Sequence, residues 1–225
     1  MIGCRDITKG EKAVEGLTND TTVKVEASNL EPLLIDVTSN DSIKAAVETV
    51  EKKYGKLDVL MNNAAVAGAQ AVRADGTGPS LREIYHQHYD TNLFGVAETT
   101  ESFLPLLRKS TISGGKRISF TSSGLSSLQW AAEVGKEGPY SAAMYPIYRS
   151  TKTALSMIML YYVKTLEKDG FVVSASDPGY CATNLNGNSG FKDPRDGAKE
   201  LVKTVVEAKE KVHGRVIGDE GLEPW

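Results

Sequence analysis

The stretch Tyr148 to Lys152 (YRSTK) carries residue types that could move a proton. A tyrosine and a lysine four positions apart on a helix share one face, one turn from each other. An ammonium beside a phenol favours the phenolate and lowers its pKa, which is otherwise about 10. The pair is therefore predicted to serve as a general acid or base near neutral pH. The alternative is a surface Tyr–Lys pair without chemistry, because this spacing is common on amphipathic helices.

Polar residues also follow the short apolar segments of the chain. Four segments are predicted to be strands, the first of them ending in a polar loop: 31–39, 56–64, 115–123 and 171–179. They end near Asp36, Asn62–Asn63, Ser122–Ser123 and Pro178–Gly179. Helical patterns separate them, with caps at Ser39 or Asp41, an end at Gly55, and a long helix over 147–170.

Strands that are apolar on both faces and alternate with helices predict an α/β fold. The expected architecture is a Rossmann-like, doubly wound parallel sheet between two helical layers, a three-layer αβα domain. In such open sheets the ligand binds beyond the carboxyl ends of the strands. The polar residues that follow the strands are therefore predicted to line a site.

Composition restricts the class of protein. The chain has 225 residues with 40% hydrophobic residues and a net charge of −3, which suits one domain and argues against a nucleic-acid binder. Two scattered cysteines, Cys4 and Cys181, indicate neither a disulfide framework nor a metal site, and we expect both to be buried or half-buried. No apolar run approaches about 20 residues and no signal pattern opens the chain, so we expect a cytoplasmic protein without membrane partners.

The histidines are predicted to carry no chemistry. His86 and His88 lie two apart on an expected helix and point to different faces, which makes a poor metal pair. We expect both to be solvated. His213 has no evident partner in the sequence.

The motifs arrive in the order found in one enzyme family. They are LLIDVTS, LDVLMNNAA (with Ala65 where a glycine is usual), TNLFG, ISFTSS, YRSTK, DPGYCAT and the closing GLEPW. Over residues 1–225 the chain resembles the short-chain dehydrogenase/reductases, and within them the NADPH-dependent carbonyl reductases. The resemblance implies an oxidoreductase that interconverts a carbonyl and an alcohol of a small molecule by hydride transfer.

The same resemblance implies the catalytic residues. Tyr148 would be the general acid or base, Ser123 would hydrogen-bond the same substrate oxygen, and Lys152 would lower the tyrosine pKa and hold the ribose. Asn92 would anchor a water that relays protons to Lys152. Ser122 remains an alternative to Ser123. Tyr145 is a weaker alternative to Tyr148, because an arginine follows it at the lysine position.

Cofactor contacts are implied in the same way. They would be made by Arg5, Asp36, Val37, Asn63, Ala64, Tyr148, Lys152, Pro178, Gly179 and Thr183, while Asn62 would tie strands together. Arg5 lies where an acidic residue selects NAD in many relatives, and a guanidinium there suits a 2′-phosphate. The expected cofactor is therefore NADP(H) rather than NAD(H).

Two loops are predicted on the substrate side. The insert 124–146 holds Trp130, Tyr140 and Met144, which either line the substrate site or anchor a surface loop. Residues 184–194 match the family's mobile substrate loop and are rich in glycine and asparagine. The resemblance leaves the assembly open, between a homodimer through the helices around Asn92 and Tyr148 and an insert that blocks that surface.

The family's first strand and its glycine-rich turn, about 30 residues, are not found in this sequence. MIGC is expected to be the end of the family's second strand, which makes the fold N-terminally truncated. We expect two exposed sheet edges, or direct pairing of the strands that normally flank the first one. The alternative function is a non-catalytic remnant of the family that acts as a binding or interaction protein.

Overall fold

The protein is described by a computed structural model, over residues 1–22, 26–71, 73, 75–133 and 144–225. The strands are β1 (Ile2–Cys4), β2 (Pro32–Leu34), β3 (Val59–Asn62), β4 (Arg117–Thr121), β5 (Val172–Ser176), β6 (Val216–Gly218) and β7 (Gly221–Leu222). The helices are α1 (Ile7–Asn19), α2 (Asn40–Tyr54), α3 (Leu81–Tyr89), α4 (Gly95–Arg108), α5 (Leu128–Ala132), α6 (Pro146–Thr165), α7 (Pro194–Val206) and α8 (Lys209–Val212). Strands and helices alternate along most of the chain, which confirms the predicted α/β fold.

The strands form two hydrogen-bonded ladders. β1 and β2 pair in parallel, and β3, β4, β5 and β6 form a second parallel ladder in that order. β7 folds back antiparallel onto β6, and the two form a hairpin that closes the sheet. Within the described residues β1 is not paired with β3, and the expected direct pairing of these two strands is therefore wrong.

One hydrophobic core nevertheless joins the two ladders. Leu33 and Ile35, in and after β2, pack against a cluster built on Phe120, Leu107 and Met159. Helices α2 and α4 pack on each other across the same region. A Cβ added to Gly95, the first residue of α4, would lie 2.3 Å from the carbonyl oxygen of Val37. Side-chain packing and this close backbone approach thus hold the β1–β2 ladder against the rest of the molecule.

The helix ends follow the capping residues of the sequence. Ser39 caps α2, with its Oγ accepting from Ser42 N (3.3 Å), and the helix ends at Gly55 in a left-handed conformation (φ 68°). The long helix begins at Pro146, as expected within a residue, but its α-helical part ends at Thr165. A short 3₁₀ turn then leads to Gly170, which is also left-handed (φ 73°).

Two predictions about histidines are wrong. His88 is 1% exposed, whereas only His86 lies in solvent as expected. Ile84 and His88 are one turn apart on the face of α3 that packs inward, which takes the ring out of water. His213 does have a partner, because its Nδ1 accepts a hydrogen bond from Val173 N (3.0 Å).

Both cysteines are half-buried and free, as predicted. In the described part of the chain, no helix combines the length and apolar character needed to cross a membrane. The same residues hold no cluster of three or more histidine, cysteine or acidic side chains with the geometry of a metal site.

Candidate active site

Tyr148 and Lys152 meet at the carboxyl end of β4. Both are on α6, and the Lys152 ammonium lies 5.5 Å from the centroid of the Tyr148 ring. Lys152 is 1% exposed, and its Nζ donates a 2.6 Å hydrogen bond to the carbonyl oxygen of Thr121, the last residue of β4. The helix spacing and this carbonyl together fix the lysine against the tyrosine.

Burial dominates the protonation of this pair. It lowers the pKa of Lys152 to about 8, although nearby Asp177 acts in the opposite direction. Burial, followed by the charge of Asp177, raises the pKa of the Tyr148 hydroxyl above its usual range. These two influences act against the expected lowering of the tyrosine pKa by Lys152, which stays a prediction. Tyr148 is protonated at neutral pH and can act as a proton donor.

The two serines after β4 have different surroundings. Ser122 is buried, its N–H donates to Ser176 O (2.8 Å), and its Oγ lies 3.5 Å from Ser156 Oγ. Ser123 is partly exposed to solvent and caps a 3₁₀ turn, where its Oγ accepts from Leu125 N (3.2 Å). These surroundings favour Ser123 over Ser122 as the serine that faces a ligand, which stays a prediction.

The 3₁₀ turn after Ser123 is attached to the helix that carries Tyr148. Thr153 Oγ1, on α6, donates a 2.9 Å hydrogen bond to Ser126 O. This contact keeps the serine segment beside the first turns of α6.

Asn92 lies in a π-helical turn, Asp90–Phe94, between α3 and α4. Its side chain is fully buried, with Oδ1 accepting from Val66 N (2.8 Å) and Nδ2 donating to Val66 O (2.9 Å) and Thr151 Oγ1 (3.1 Å). Such single π-turns are frequent at functional sites. Both amide hydrogens are used within the protein, so only a lone pair of Oδ1 is left for the water that the resemblance implies.

The two asparagines after β3 play different parts. Asn62 is buried, and its Nδ2 donates to Thr100 Oγ1 (3.0 Å) on α4, so it ties the strand to a helix and not to another strand as expected. Asn63 and Ala64 are exposed at the strand end. Asn63 Oδ1 accepts from Thr121 Oγ1 (3.0 Å), and Thr121 is the residue whose carbonyl oxygen anchors Lys152.

Arg5, Asp36 and Val37 lie together after β1 and β2. Asp36 Oδ1 accepts from Thr38 N (2.9 Å) and Thr38 Oγ1 (2.7 Å). These hydrogen bonds, with a contribution from the charge of Arg5, lower the pKa of the Asp36 carboxyl. The Arg5 side chain is exposed.

The turn after β5 is organised by Asp177. Its Oδ1 accepts from Gly179 N (2.9 Å), and Gly179 is left-handed (φ 74°), a conformation that favours glycine. Pro178 is half-buried, and the N–H of Thr183 donates to Asn186 Oδ1 (3.3 Å). The predicted cofactor residues of this motif therefore lie beside the acid that acts on Tyr148 and Lys152.

A second acid at this position was not foreseen from the sequence. The β6–β7 hairpin brings Glu223 back onto Gly218, against Asp177. Burial, and then the neighbouring Asp177, raise the pKa of Glu223 to about 9. Its Oε2 is buried and has no donor among the described residues. A protonated Glu223 that donates a hydrogen bond to Asp177 avoids placing two carboxylate charges side by side.

The loop 184–194 approaches the same turn. It contains a short 3₁₀ turn, Asn184–Asn186, and returns through a bond from Ala182 N to Lys192 O (2.9 Å). Phe191 is 85% exposed and packs edge-on against Tyr180 (5.8 Å between centroids). An exposed aromatic on this loop is consistent with the predicted substrate side.

The predicted substrate residues of the insert are only partly described. Trp130 is half-buried on α5, where its backbone N–H donates to Ser127 Oγ (3.1 Å). Met144 is exposed two residues before α6, and Tyr140 lies outside the described residues. Tyr145, the alternative to Tyr148, is exposed and left-handed at the start of α6 (φ 53°). The substrate role of these residues stays a prediction.

Comparison with known proteins identifies the family. The family model described as short chain dehydrogenase matches residues 5–193, which is most of the chain. The chain belongs to the short-chain dehydrogenase family. It is 37% identical over 223 residues to the short-chain dehydrogenase anuI of Penicillium roqueforti, covering 98% of this chain and 83% of that protein. It is 36% identical to the short-chain dehydrogenase/reductase tropE of Talaromyces stipitatus, covering 92% of this chain and 79% of that protein.

A solved structure agrees with the fold. The NADPH-bound carbonyl reductase from chicken fatty liver superimposes with a TM-score of 0.76 at 24% identity, covering 99% of this chain and 86% of that chain. This likeness confirms the Rossmann-like fold of the family. Members of this oxidoreductase family use nicotinamide cofactors, and the chain is therefore assigned to nicotinamide-dependent oxidoreductases.

The donor set fits a nicotinamide dinucleotide at its two ends. A guanidinium and a carboxylate, Arg5 and Asp36, follow β1 and β2 and suit an adenosine with its ribose. The exposed Asn63, with Lys152 anchored beside it, suits a second ribose. Arg5, Asp36 and Asn63 follow carboxyl ends of parallel strands, where such ligands bind, and Lys152 reaches the end of β4 from α6.

One residue of the site carries no signal in the sequence. Gln70, in the loop after β3, accepts a hydrogen bond at Oε1 from the backbone N–H of Tyr148 (3.0 Å). The two residues are 78 positions apart. Neither spacing nor a family motif points to this contact.

Proposed function

We propose that the chain is an NADP(H)-dependent oxidoreductase that interconverts a carbonyl and an alcohol of a small molecule, with Tyr148 as general acid and base. The observation that carries the proposal is the pairing of half-buried Tyr148 with buried Lys152, whose ammonium is anchored on Thr121 O. Family membership supplies the class of reaction. We place the enzyme in the cytoplasm, on the basis of its two scattered cysteines.

The mechanism follows from the protonation of the pair. A bound nicotinamide supplies the hydride that reduces a carbonyl carbon, or accepts it in the reverse direction. Tyr148, a phenol that is protonated at neutral pH, donates its hydroxyl proton to the substrate oxygen. Ser123 Oγ donates a hydrogen bond to the same oxygen. The Lys152 ammonium, within 5.5 Å of the ring centroid, stabilises the phenolate that remains.

The preference for NADP(H) is proposed from Arg5. Its exposed guanidinium follows β1, and a planar fork of this kind binds a phosphate through two hydrogen bonds. The chicken carbonyl reductase, which is similar in fold, carries NADPH.

The test uses matched tyrosine variants. With NADPH and a panel of aliphatic and aromatic aldehydes, ketones and quinones, Tyr148→Phe should lower kcat at least about 10³-fold, since the proton donor is lost. NADPH affinity should stay within about threefold of the original protein. Tyr145→Phe, at an exposed position three residues earlier, should leave kcat unchanged. Full activity of Tyr148→Phe would refute the proposal.

Two serine variants decide whether Ser123 or Ser122 is the serine that contacts the substrate oxygen. Ser123→Ala should lower kcat about 10²-fold or more, whereas Ser122→Ala should change mainly the thermal midpoint, because its hydroxyl is buried against Ser156. The reverse pattern would move the role to Ser122. If the original protein binds NADPH without turning over any member of the panel, the non-catalytic alternative is favoured.

A further inference from the structure

The helix that carries Tyr148 and Lys152 begins without a cap of its own. Tyr145, at the N-cap position, is left-handed, and its own side chain makes no capping bond within the described residues. Pro146 follows and has no N–H. The first intrahelical bond runs from Arg149 N to Tyr145 O (2.9 Å). The N–H groups before it, including that of Tyr148, must find acceptors outside the helix.

Gln70 supplies the acceptor for Tyr148. Its Oε1 lies 3.0 Å from Tyr148 N, the third residue of the helix, which is where an N-cap side chain normally binds. The cap therefore comes from the loop after β3 and not from the residue before the helix. It acts on the backbone of the proposed proton donor itself.

His88 fixes the orientation of the Gln70 amide. His88 Nδ1 lies 2.8 Å from the carbonyl oxygen of Ile84 and must donate to it, so in the neutral ring Nε2 is an acceptor. Gln70 Nε2 lies 3.0 Å from this Nε2 and 3.0 Å from Gly68 O, which takes both of its hydrogens. With its nitrogen held in this way, Gln70 can only present its oxygen to Tyr148.

The loop is held at a second point on the same helical segment. Asn92 follows His88 by four residues and binds both backbone groups of Val66. One segment thus fixes the loop at Val66 through Asn92 and at Gln70 through His88. The chain of contacts runs from the buried face of α3, through the loop, to the first turn of α6.

We propose that Gln70 and His88 are positioning residues that set the placement of Tyr148, with His88 acting through Gln70. The inference rests on the proposed function, since its kinetic consequence requires Tyr148 to donate the proton. The competing interpretation is a cap that stabilises the fold without influence on the reaction. The two differ in whether kcat changes in a protein that remains folded.

The kinetic test is a double-mutant cycle. Gln70→Ala should lower kcat about tenfold, with the KM for NADPH within about twofold, because small misplacements of a reacting group are costly. His88→Phe, which keeps a ring in the buried space, should lower kcat about threefold to tenfold. In the Gln70→Ala background, His88→Phe should lower kcat by less than a further factor of about two, since the contact through Gln70 to Tyr148 is already lost. Gln87→Ala and His86→Phe, at exposed positions on α3, are the matched controls and should leave kcat unchanged.

A second measurement does not depend on activity. Gln70→Ala should speed amide hydrogen exchange in the segment Pro146–Ser150 about fivefold, while the β5 segment keeps its rate. Unchanged exchange there would overturn the cap even if the protein turned over no substrate. Unchanged kcat in Gln70→Ala, with the original protein active, would overturn the positioning role. Additive losses in the double variant would remove His88 from the proposal.

Discussion

Replacing Gly95 by alanine should weaken the packing of the β1–β2 ladder against the rest of the protein. The added Cβ would lie 2.3 Å from Val37 O, 2.9 Å from Val37 C and 3.0 Å from Asp90 O. All three are backbone atoms, so no side-chain rotation relieves the overlap, and the backbone must shift by about 1 Å. Overpacking of this kind costs about 3 kcal/mol. At roughly 2–4 °C per kcal/mol for a chain of this length, the melting temperature should fall by about 6–12 °C.

The assay compares thermal melts of Gly95→Ala and Gly16→Ala. Gly16 is exposed on α1, and an added Cβ there meets nothing within 4 Å, so alanine should stabilise that helix by about 0.5–1 kcal/mol. Because the displaced Val37 belongs to the predicted cofactor contacts, Gly95→Ala should also weaken NADPH binding. A melting temperature of Gly95→Ala equal to that of the original protein would refute the assignment of this close approach.

Further predictions concern pH and cofactor choice. The kcat/KM for carbonyl reduction should fall as pH rises through about 8, where the buried Lys152 loses its proton, and Asp177→Asn should move this fall to lower pH by removing a charge that favours the ammonium; an unmoved pH–rate profile would contradict it. Glu223→Gln should raise stability at pH 8 by about 1–2 kcal/mol and not at pH 4. A carboxyl whose folded pKa is raised from 4.5 to about 9 gives its full contribution below 4.5 and loses it as pH rises through about 9. Urea unfolding at both pH values measures the difference, and equal effects at the two would count against a buried neutral acid. Arg5→Ala should weaken NADPH about tenfold or more and NADH less than about twofold, and equal losses in titrations of both cofactors would remove Arg5 from 2′-phosphate recognition.

Periodicity and capping residues predicted most of the helices. Ser39, Gly55 and Gly170 are local signals, and each lies at a boundary in the structure. The strands were predicted too long, because the polar residues after each apolar run continue the β-like pattern into the loops. The division of the sheet into two ladders has no local signal, since it depends on which strands are neighbours in space.

The candidate site was predicted to a similar depth. The family motifs indicate Tyr148, Lys152 and Asn92, and the structure brings their segments together. The sequence could not show that burial and Asp177 would raise the pKa of Tyr148, because desolvation depends on residues from several elements. Gln70 was missed because its contact spans 78 positions. The burial of His88 was not predicted, because tertiary contacts decide which face of α3 packs inward.

We expect the division between β1 and β3 to give the molecule two zones with separate local stability. Each ladder has its own backbone hydrogen bonds, so an opening of the packed interface between them would break neither ladder. The residues that follow β1 and β2 include Arg5, Asp36 and Val37, whereas Tyr148 and Lys152 belong to the larger zone. A dinucleotide that contacts both zones would act as a clasp. Part of the free energy of cofactor binding would then stabilise the packing of the β1–β2 ladder against the larger zone.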